Sequence, residues 1–544
     1  MPAYKYPLLI KQLLLAPSVR APNAPNKEIV YRDLVRFGYR TLFERINRLG
    51  SSLDKLGVKQ GDTVAVVDYD SHRYLESYFA IPMLGAVLHT VNWRLPPEQM
   101  LYTMNHAEDK VVLVNSDFLP VLESFGDKLT TVEKFILLTD DNKKPATKLN
   151  IEAEYEEMLR AGSSSYDFPD FDEDTRATLF YTTGTTGDPK GVYFTHRQIV
   201  LHTLGIALLG SGQNYPRFVT PDEVYMPLTP MFHVHAWGTP YLSTMSGMKQ
   251  VYPGKYDIML LIKLIKKEGV TYTHCVPTIL GMLLLGVEME GVDLSGLKMI
   301  IGGAALPGGL ANDALRAGIK FYCAYGLSET CPALTVTDLK GDMLDWDTDR
   351  KVNVLKRAGL PVPLVQMEIM DESGRKLPHD GKSIGEVVTR APWLTEGYFK
   401  KPKESEQLWR YGWLHTGDVG YIDEGGYLYL TDRVKDVIKT GGEWISSLKL
   451  EDLISEHKAV AEAGVIGMPD EKWGERPMAV IIPKPEYKDK ISPEDIRKFL
   501  QKFVDDGTIL KWAIPDRIEF VAQLPHTAVG KVDKKVLRKQ YISK

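Results

Sequence analysis

Residues 181–191 read Tyr-Thr-Thr-Gly-Thr-Thr-Gly-Asp-Pro-Lys-Gly, which packs hydroxyls, glycines and one lysine into a single loop. Gly184 and Gly187 let backbone N–H groups come close to an anion. Thr182, Thr183, Thr185 and Thr186 add O–H donors, and Lys190 adds a mobile positive charge. This is equipment for holding a polyphosphate, and it points to ATP. The flanking runs Leu179-Phe180-Tyr181 and Val192-Tyr193-Phe194 are β-prone, so the loop is expected to turn between two strands. A Walker A loop needs G-x-x-x-x-G-K-[ST] and runs from a strand into a helix. Here Lys190 follows Pro189 and precedes Gly191, so that reading fails on both sides of the lysine. The bland alternative is a Gly/Thr-rich surface loop.

Other stretches carry compatible chemistry. In Tyr325-Gly-Leu-Ser-Glu-Thr330 a tyrosine face can stack on a purine, and Glu329 offers hard oxygen to a Mg²⁺ ion on a phosphate. A surface or helix-capping glutamate is the alternative. Gly302-Gly-Ala-Ala305 closes the apolar run Leu297–Ile301, where small residues let a flat ring lie on backbone; a tight strand-to-helix turn reads the same way. Asp418, after Gly417, can accept two hydrogen bonds from a ribose diol, or it is an ordinary turn aspartate. Gly441-Gly442 would let backbone approach a narrow ligand arm.

These groups need a scaffold. Leu42, Phe43, Ile46, Leu49, Leu53 and Leu56 fall at helical spacing, Gly57 ends the pattern, and Val64–Val67 reads as a buried strand. The cadence recurs at 260–276 and 313–325, which argues for α/β architecture with largely parallel sheets. Strand patterns are also expected at 463–467 and 478–483. A chain of 544 residues is too long for one core and should divide. Net charge is −5, so no basic balance points to nucleic acid. Cys275, Cys323 and Cys331 are too few and too irregular for a disulfide framework or a zinc site. No apolar run reaches transmembrane length, and Pro7–Leu15, broken by Lys11 and Gln12, lacks a signal-peptide layout. A cytoplasmic enzyme is the expectation.

The 181–191 loop resembles the signature loop of the acyl-adenylate-forming superfamily, which holds acyl-CoA synthetases, luciferases and the adenylation domains of peptide synthetases. The likeness runs from about residue 30 to 540, with several motifs in the family's order. It implies a large N-terminal domain of mixed sheets and helices, 1–432, and a small mobile α+β domain, 433–544, with a hinge near Lys435. It places Gly303, Ala304, Ala324, Tyr325, Gly326 and Ser328 on the nucleotide, with Thr330 donating to the α-phosphate and Mg²⁺ shared between Thr182 and Glu329. His233, in Pro230-Met-Phe-His-Val-His-Ala-Trp237, would line the acyl carboxylate, and Val234 and Trp237 would wall the site. A lone histidine is more often structural.

Relatives that activate α-amino acids carry Phe-Asp-x-Ser here. This chain has Phe232-His233-Val234-His235 and no carboxylate to pair an ammonium. Asp418 and Arg433 would reach the ribose, and Lys439 a phosphate. Gly441, Gly442 and Trp444 would face the pantetheine tunnel, with Trp444 gating the acyl tunnel as in medium- and long-chain fatty acyl-CoA synthetases; a buried core tryptophan is the alternative. Lys531, in Pro525-His-Thr-Ala-Val-Gly-Lys531, would bridge the attacking carboxylate and the α-phosphate, where a surface lysine is the default elsewhere.

The implied reaction is ATP-dependent ligation of a fatty acid to coenzyme A through acyl-AMP, by a homodimer. The alternatives are an aryl-CoA ligase, an acyl-AMP ligase that does not use CoA, and a regulator that binds nucleotide without catalysis.

Overall fold

The computed structural model describes residues 6–22, 24–141, 143–182, 188–212, 217–441, 443–488, 490–525 and 532–542, with Glu443 given as backbone only. Thr183, Gly184, Thr185, Thr186, Gly187, Gly442 and Lys531 of the expected site lie outside the described residues. The chain is α/β and divides into two compact units. Unit 1 is Met1–Gln366 with Thr389–Leu414, and unit 2 is Met367–Val388 with His415–Lys544.

Two sheets build unit 1. One runs in the order Ile151–Glu154, Lys134–Leu138, Asp109–Asn115, Thr63–Val67, Val87–Thr90, Arg176–Thr182, Lys190–Thr195. It is parallel except for its last pair, which is the antiparallel hairpin around the 183–187 segment. Thr182 faces Lys190 at the mouth of that hairpin. The strand–loop–strand expectation for this region is therefore met. Thr63–Val67 is buried along its whole length, which is why it reads as an unbroken apolar run.

The second sheet is centred on the parallel strands Val224–Pro227, Tyr272–Cys275, Lys298–Ile301 and Lys320–Gly326. Ala333–Val336 turns back antiparallel on the last of these. The helix Tyr39–Lys55 covers the expected periodic stretch and buries Leu42, Ile46, Leu49 and Leu53. Helices Ile258–Glu268 and Gly308–Arg316 precede strands as the cadence predicts. The N-terminal stretch forms a short 3₁₀ turn, Ile10–Leu14, running into the helix Leu15–Arg20.

Unit 2 holds an antiparallel pair, Val460–Asp470 with Gly474–Pro483, extended by Arg517–Phe520 and Ile438–Thr440. Helices Ser447–Ser455 and Pro493–Asp505 cover it through Leu450, Leu453, Ile496 and Leu500. Asp418–Ile422, the later part of the strand Trp413–Ile422, pairs with Leu428–Arg433. Among the described residues no helix is long and apolar enough to cross a membrane.

The strand Lys320–Gly326 ends against its own return. A Cβ on Gly326 would lie 1.7 Å from the Pro332 carbonyl oxygen. Gly326→Ala should therefore destabilise unit 1 by about 1–3 kcal/mol, read as a lower thermal midpoint. An unchanged midpoint would show that the 327–332 turn can step aside at no cost.

Candidate active site

The site in unit 1 grows from strand ends. Beside the phosphate hairpin stands the turn Ser328–Thr330, which presents the half-buried Glu329. Thr330 itself is buried. Its hydroxyl takes the Leu327 N–H at 2.9 Å and donates to the Pro332 carbonyl, so it holds the turn together. A hydroxyl used in this way reaches a phosphate only if the turn opens. The Glu329 carboxylate accepts from the Tyr398 hydroxyl at 2.6 Å. Among the described residues no three acidic, histidine or cysteine side chains gather into a metal cluster.

After the strand Val224–Pro227, the loop carrying His233 is gripped by side chains from the other sheet. Asp70 accepts from the Met231 N–H at 2.7 Å, and Tyr78 donates to the Met231 carbonyl. Thr90 donates to the Phe232 carbonyl at 2.8 Å. Downstream the chain enters the left-handed region for five residues in a row: Val234 at φ 41°, His235 at 58°, Ala236 at 45°, Trp237 at 60° and Gly238 at 74°. For residues other than glycine this costs roughly 1–2 kcal/mol each.

Local bonds offset part of that cost. Ala236 N–H donates to the His233 carbonyl at 3.1 Å, and Thr239 Oγ1 donates to the Ala236 carbonyl at 2.6 Å. The buried His235 ring is boxed by Tyr78, Phe180, Phe194 and Tyr241, and its edge meets the Phe180 ring at 90°. Neither ring nitrogen of His235 finds a hydrogen-bond partner, and burial drops its pKa to about 3, so the ring is a neutral wedge.

The turn swings Trp237 back against the second sheet. Its ring centroid lies 5.2 Å from that of His274, and a Cβ on Gly302 would come within 3.2 Å of the indole. Gly302 is thus small because the Ala324 carbonyl, 2.9 Å from where a Cβ would lie, and the indole both crowd it. Gly303, at φ 77°, needs its glycine for the backbone turn, and Ala304 beside it is exposed. Ala324, Tyr325 and Ser328 are half-buried on the same rim. The His233 ring is wetted yet enclosed by protein, so desolvation, and after it the Arg94 cation, moves its pKa down.

Unit 2 brings its own expected residues together. Asp418 and Arg433 are cross-strand partners, and their side chains meet at 2.5 Å. Gly417 has φ 71° but lies within a strand, so Asp418 is a strand residue and not a turn aspartate. The backbone folds back at Asp436 and Val437, whose N–H groups both donate to the Arg433 carbonyl, and Lys435 is exposed on this turn. Lys439 pairs with Glu372 and lies over the half-buried Trp444 ring, 5.4 Å from its centroid. Trp444 is therefore not a core tryptophan. Gly441, at φ 60°, has Trp473 against it, where a Cβ would lie 2.9 Å from the indole.

Sequence reasoning missed Asp70, Tyr78, Thr90 and Tyr398. No motif surrounds them, and their partners lie far away in the chain.

With this geometry in place, comparison with known proteins assigns the class. Residues 18–399 match the AMP-binding enzyme family and residues 449–531 its C-terminal domain. The chain belongs to this family of AMP-forming acid–thiol ligases. It is 40% identical over 523 residues to a long-chain-fatty-acid–CoA ligase of Thermus thermophilus, covering 95% of this chain and 93% of the relative. It is 39% identical over 504 residues to a 3-methylmercaptopropionyl-CoA ligase of Ruegeria pomeroyi, covering 92% and 90%. Among solved structures it is similar to a Mycobacterium tuberculosis fatty acyl CoA synthetase, with TM-score 0.75, 27% identity and coverage of 98% of this chain and 99% of the other. The protein is an acyl-CoA ligase, with ATP and coenzyme A as co-substrates.

Burial raises the Asp70 pKa to about 7, against an ordinary value of 3.8. Between those two pH values the folded state binds more protons than the unfolded one, so this group makes stability fall as pH rises from about 4 to about 7. Asp70→Asn keeps an oxygen for the Met231 N–H and removes the titration. The melting-temperature difference, wild type minus variant, should be most favourable to wild type near pH 4 and shrink toward pH 7. A pH-independent difference would show that Asp70 does not titrate in this window.

Proposed function

We propose that the protein activates medium- to long-chain fatty acids as their CoA thioesters. The observation that carries this reading is the 40% identity, across 95% of the chain, with a relative named for long-chain fatty acids. The apolar wall of Trp237 and the absence of a carboxylate in Phe232–His235 agree with an uncharged tail and disfavour an amino acid. The near-equal identity to a 3-methylmercaptopropionyl-CoA ligase favours, as the second reading, a short thioether acid.

A carboxylate cannot acylate a thiol directly, because oxide would have to leave. Its oxygen attacks the α-phosphate of ATP, the α–β bridging bond breaks, and pyrophosphate departs with the electron pair. The thiol sulfur of CoA then attacks the acyl carbon, the bond to AMP breaks, and the thiol proton is released. In the first step negative charge gathers where two anions meet, and one ammonium, that of Lys531, stabilises it. Lys190 and the hairpin around residues 183–187 hold the triphosphate. Asp418 and Arg433 exchange their mutual pair for the ribose hydroxyls, and Trp444 and Gly441 line the thiol's approach.

Glu329 and the Thr182 hydroxyl are hard oxygen donors that would hold a nucleotide-borne Mg²⁺. When bound, the ion neutralises phosphate charge. Unit 2 carries Lys531 in for the first step and the Gly441–Trp444 face in for the second, by rotation about the turn at Lys435.

AMP release from ATP should require both an acid and CoA, and should peak with fatty acids in a panel from acetate to long chains, benzoates and thioether acids. A peak at short thioether acids would install the second reading. Lys531→Ala should slow acyl-AMP formation about 10²–10³-fold and spare thioester formation from preformed acyl-AMP. Equal loss in both steps would remove Lys531 from its assigned role.

A further inference from the structure

Residues 393–401 run alongside the edge strand Lys190–Thr195, which leaves the phosphate hairpin. Tyr398 bridges to Val192, the Phe399 N–H donates to the Gly191 carbonyl at 2.8 Å, and Thr395 Oγ1 donates to the Tyr193 carbonyl at 2.9 Å. This stretch puts one tyrosine between two groups assigned above to the triphosphate. The Tyr398 hydroxyl donates to Glu329 Oε1 at 2.6 Å. The Lys190 ammonium lies over the same ring, 4.6 Å from its centroid. Among the described residues Lys190 and Glu329 form no ion pair with each other; one ring holds both, the carboxylate at its edge and the ammonium on its face.

The ring is itself fixed. The Tyr398 N–H donates to Ser405 Oγ at 2.8 Å, and the Thr395 N–H, three residues upstream, donates to the Glu329 carbonyl at 3.0 Å, so the segment carrying Tyr398 is fixed to the Glu329 turn. A carboxylate with one oxygen occupied in this way keeps the other for a cation. A lysine resting on a π face is loosely held and can pass to phosphate.

We propose that Tyr398 is a positioning residue for acyl-AMP formation. It holds Glu329 and Lys190 apart, so that each meets the triphosphate and neither quenches the other. The inference rests on the proposed placing of Glu329 and Lys190 on the ATP phosphates.

The test uses the full-length enzyme with ATP and no acid, so that nothing turns over. Mn²⁺ binding to the ATP complex is followed by electron paramagnetic resonance, and ATP binding in EDTA by calorimetry. Tyr398→Phe keeps the ring and loses the donor. It should weaken Mn²⁺ about tenfold, the cost of removing an outer partner of a metal-binding carboxylate, and leave ATP affinity in EDTA unchanged. Tyr398→Leu loses the π face too, and should also weaken ATP in EDTA. Both variants should keep thioester formation from preformed acyl-AMP.

Glu329→Gln is the control. If it weakens Mn²⁺ and Tyr398→Phe does not, the inference falls and the assignment of Glu329 stands. If Glu329→Gln changes nothing, the assignment falls and the inference with it. Uniform loss of ATP binding, Mn²⁺ binding and thioester formation in Tyr398→Phe, with a lowered melting temperature, would make the residue mere scaffold and overturn the inference.

Discussion

Met231 and Phe232 lie in the loop after a strand of one sheet of unit 1, yet the side chains that hold their backbone come from the other sheet's side: Asp70 from the loop after Thr63–Val67, Tyr78 from the helix that follows, and Thr90 from the strand Val87–Thr90. His233 and the coil that follows it inherit their place from that grip. His233 follows directly, and the left-handed coil that throws Trp237 onto Gly302 begins one residue later. A coil so costly in backbone terms persists only when the structure around it overdetermines it. The bonds to Met231 and Phe232 fix its entry, and the boxed His235 ring fixes its middle. The Asp70 carboxyl, held by burial near neutrality, lies at the centre of this arrangement.

A second regularity runs through both units. Among the described residues, the charged groups proposed for ATP are engaged with other protein groups. Asp418 holds Arg433, Lys439 holds Glu372, and Tyr398 holds Glu329 and Lys190. Half-buried charges left without partners would be expensive. Partners that are themselves polar and partly exposed can be exchanged for ligand groups at modest cost, because one set of charge-assisted bonds replaces another. In the proposed function, these groups are thereby kept in order before a nucleotide arrives, and less binding energy is lost to ordering them.

Much of this was legible in the residues. The hairpin around the phosphate loop, the helix Tyr39–Lys55, the buried strand Thr63–Val67 and the long strands of unit 2 all follow from periodicity and turn residues. Asp418 and Arg433, each expected at a ribose from its motif, prove to be cross-strand partners, a meeting the sequence did not show. What escaped was of two kinds. Tyr398 lies 69 residues from Glu329, and Asp70 lies 161 from Met231, and no local pattern marks a contact of that range. The coil at 234–238 escaped because four of its five residues are not glycine, so the sequence offers no sign of a left-handed backbone. The Thr330 hydroxyl, expected on a phosphate, is taken up by its own turn through Leu327 and Pro332. The partition of contacts is likewise discontinuous, with Met367–Val388 joining unit 2 ahead of the segment that returns to unit 1.

The coil also sets the terms on which evolution or a protein engineer can reshape the pocket. Positions 234–238 look like ordinary wall residues, and a library aimed at new acids would naturally vary them. Each is bound to a backbone that most L-residues resist, with glycine and asparagine the natural exceptions. Variants that relieve the strain would be enriched for folding whatever their effect on substrate fit. A selection for expression would then drift toward a slacker coil and a broader substrate range. Altered acid preference is better sought outside the coil, where the backbone does not carry its strain.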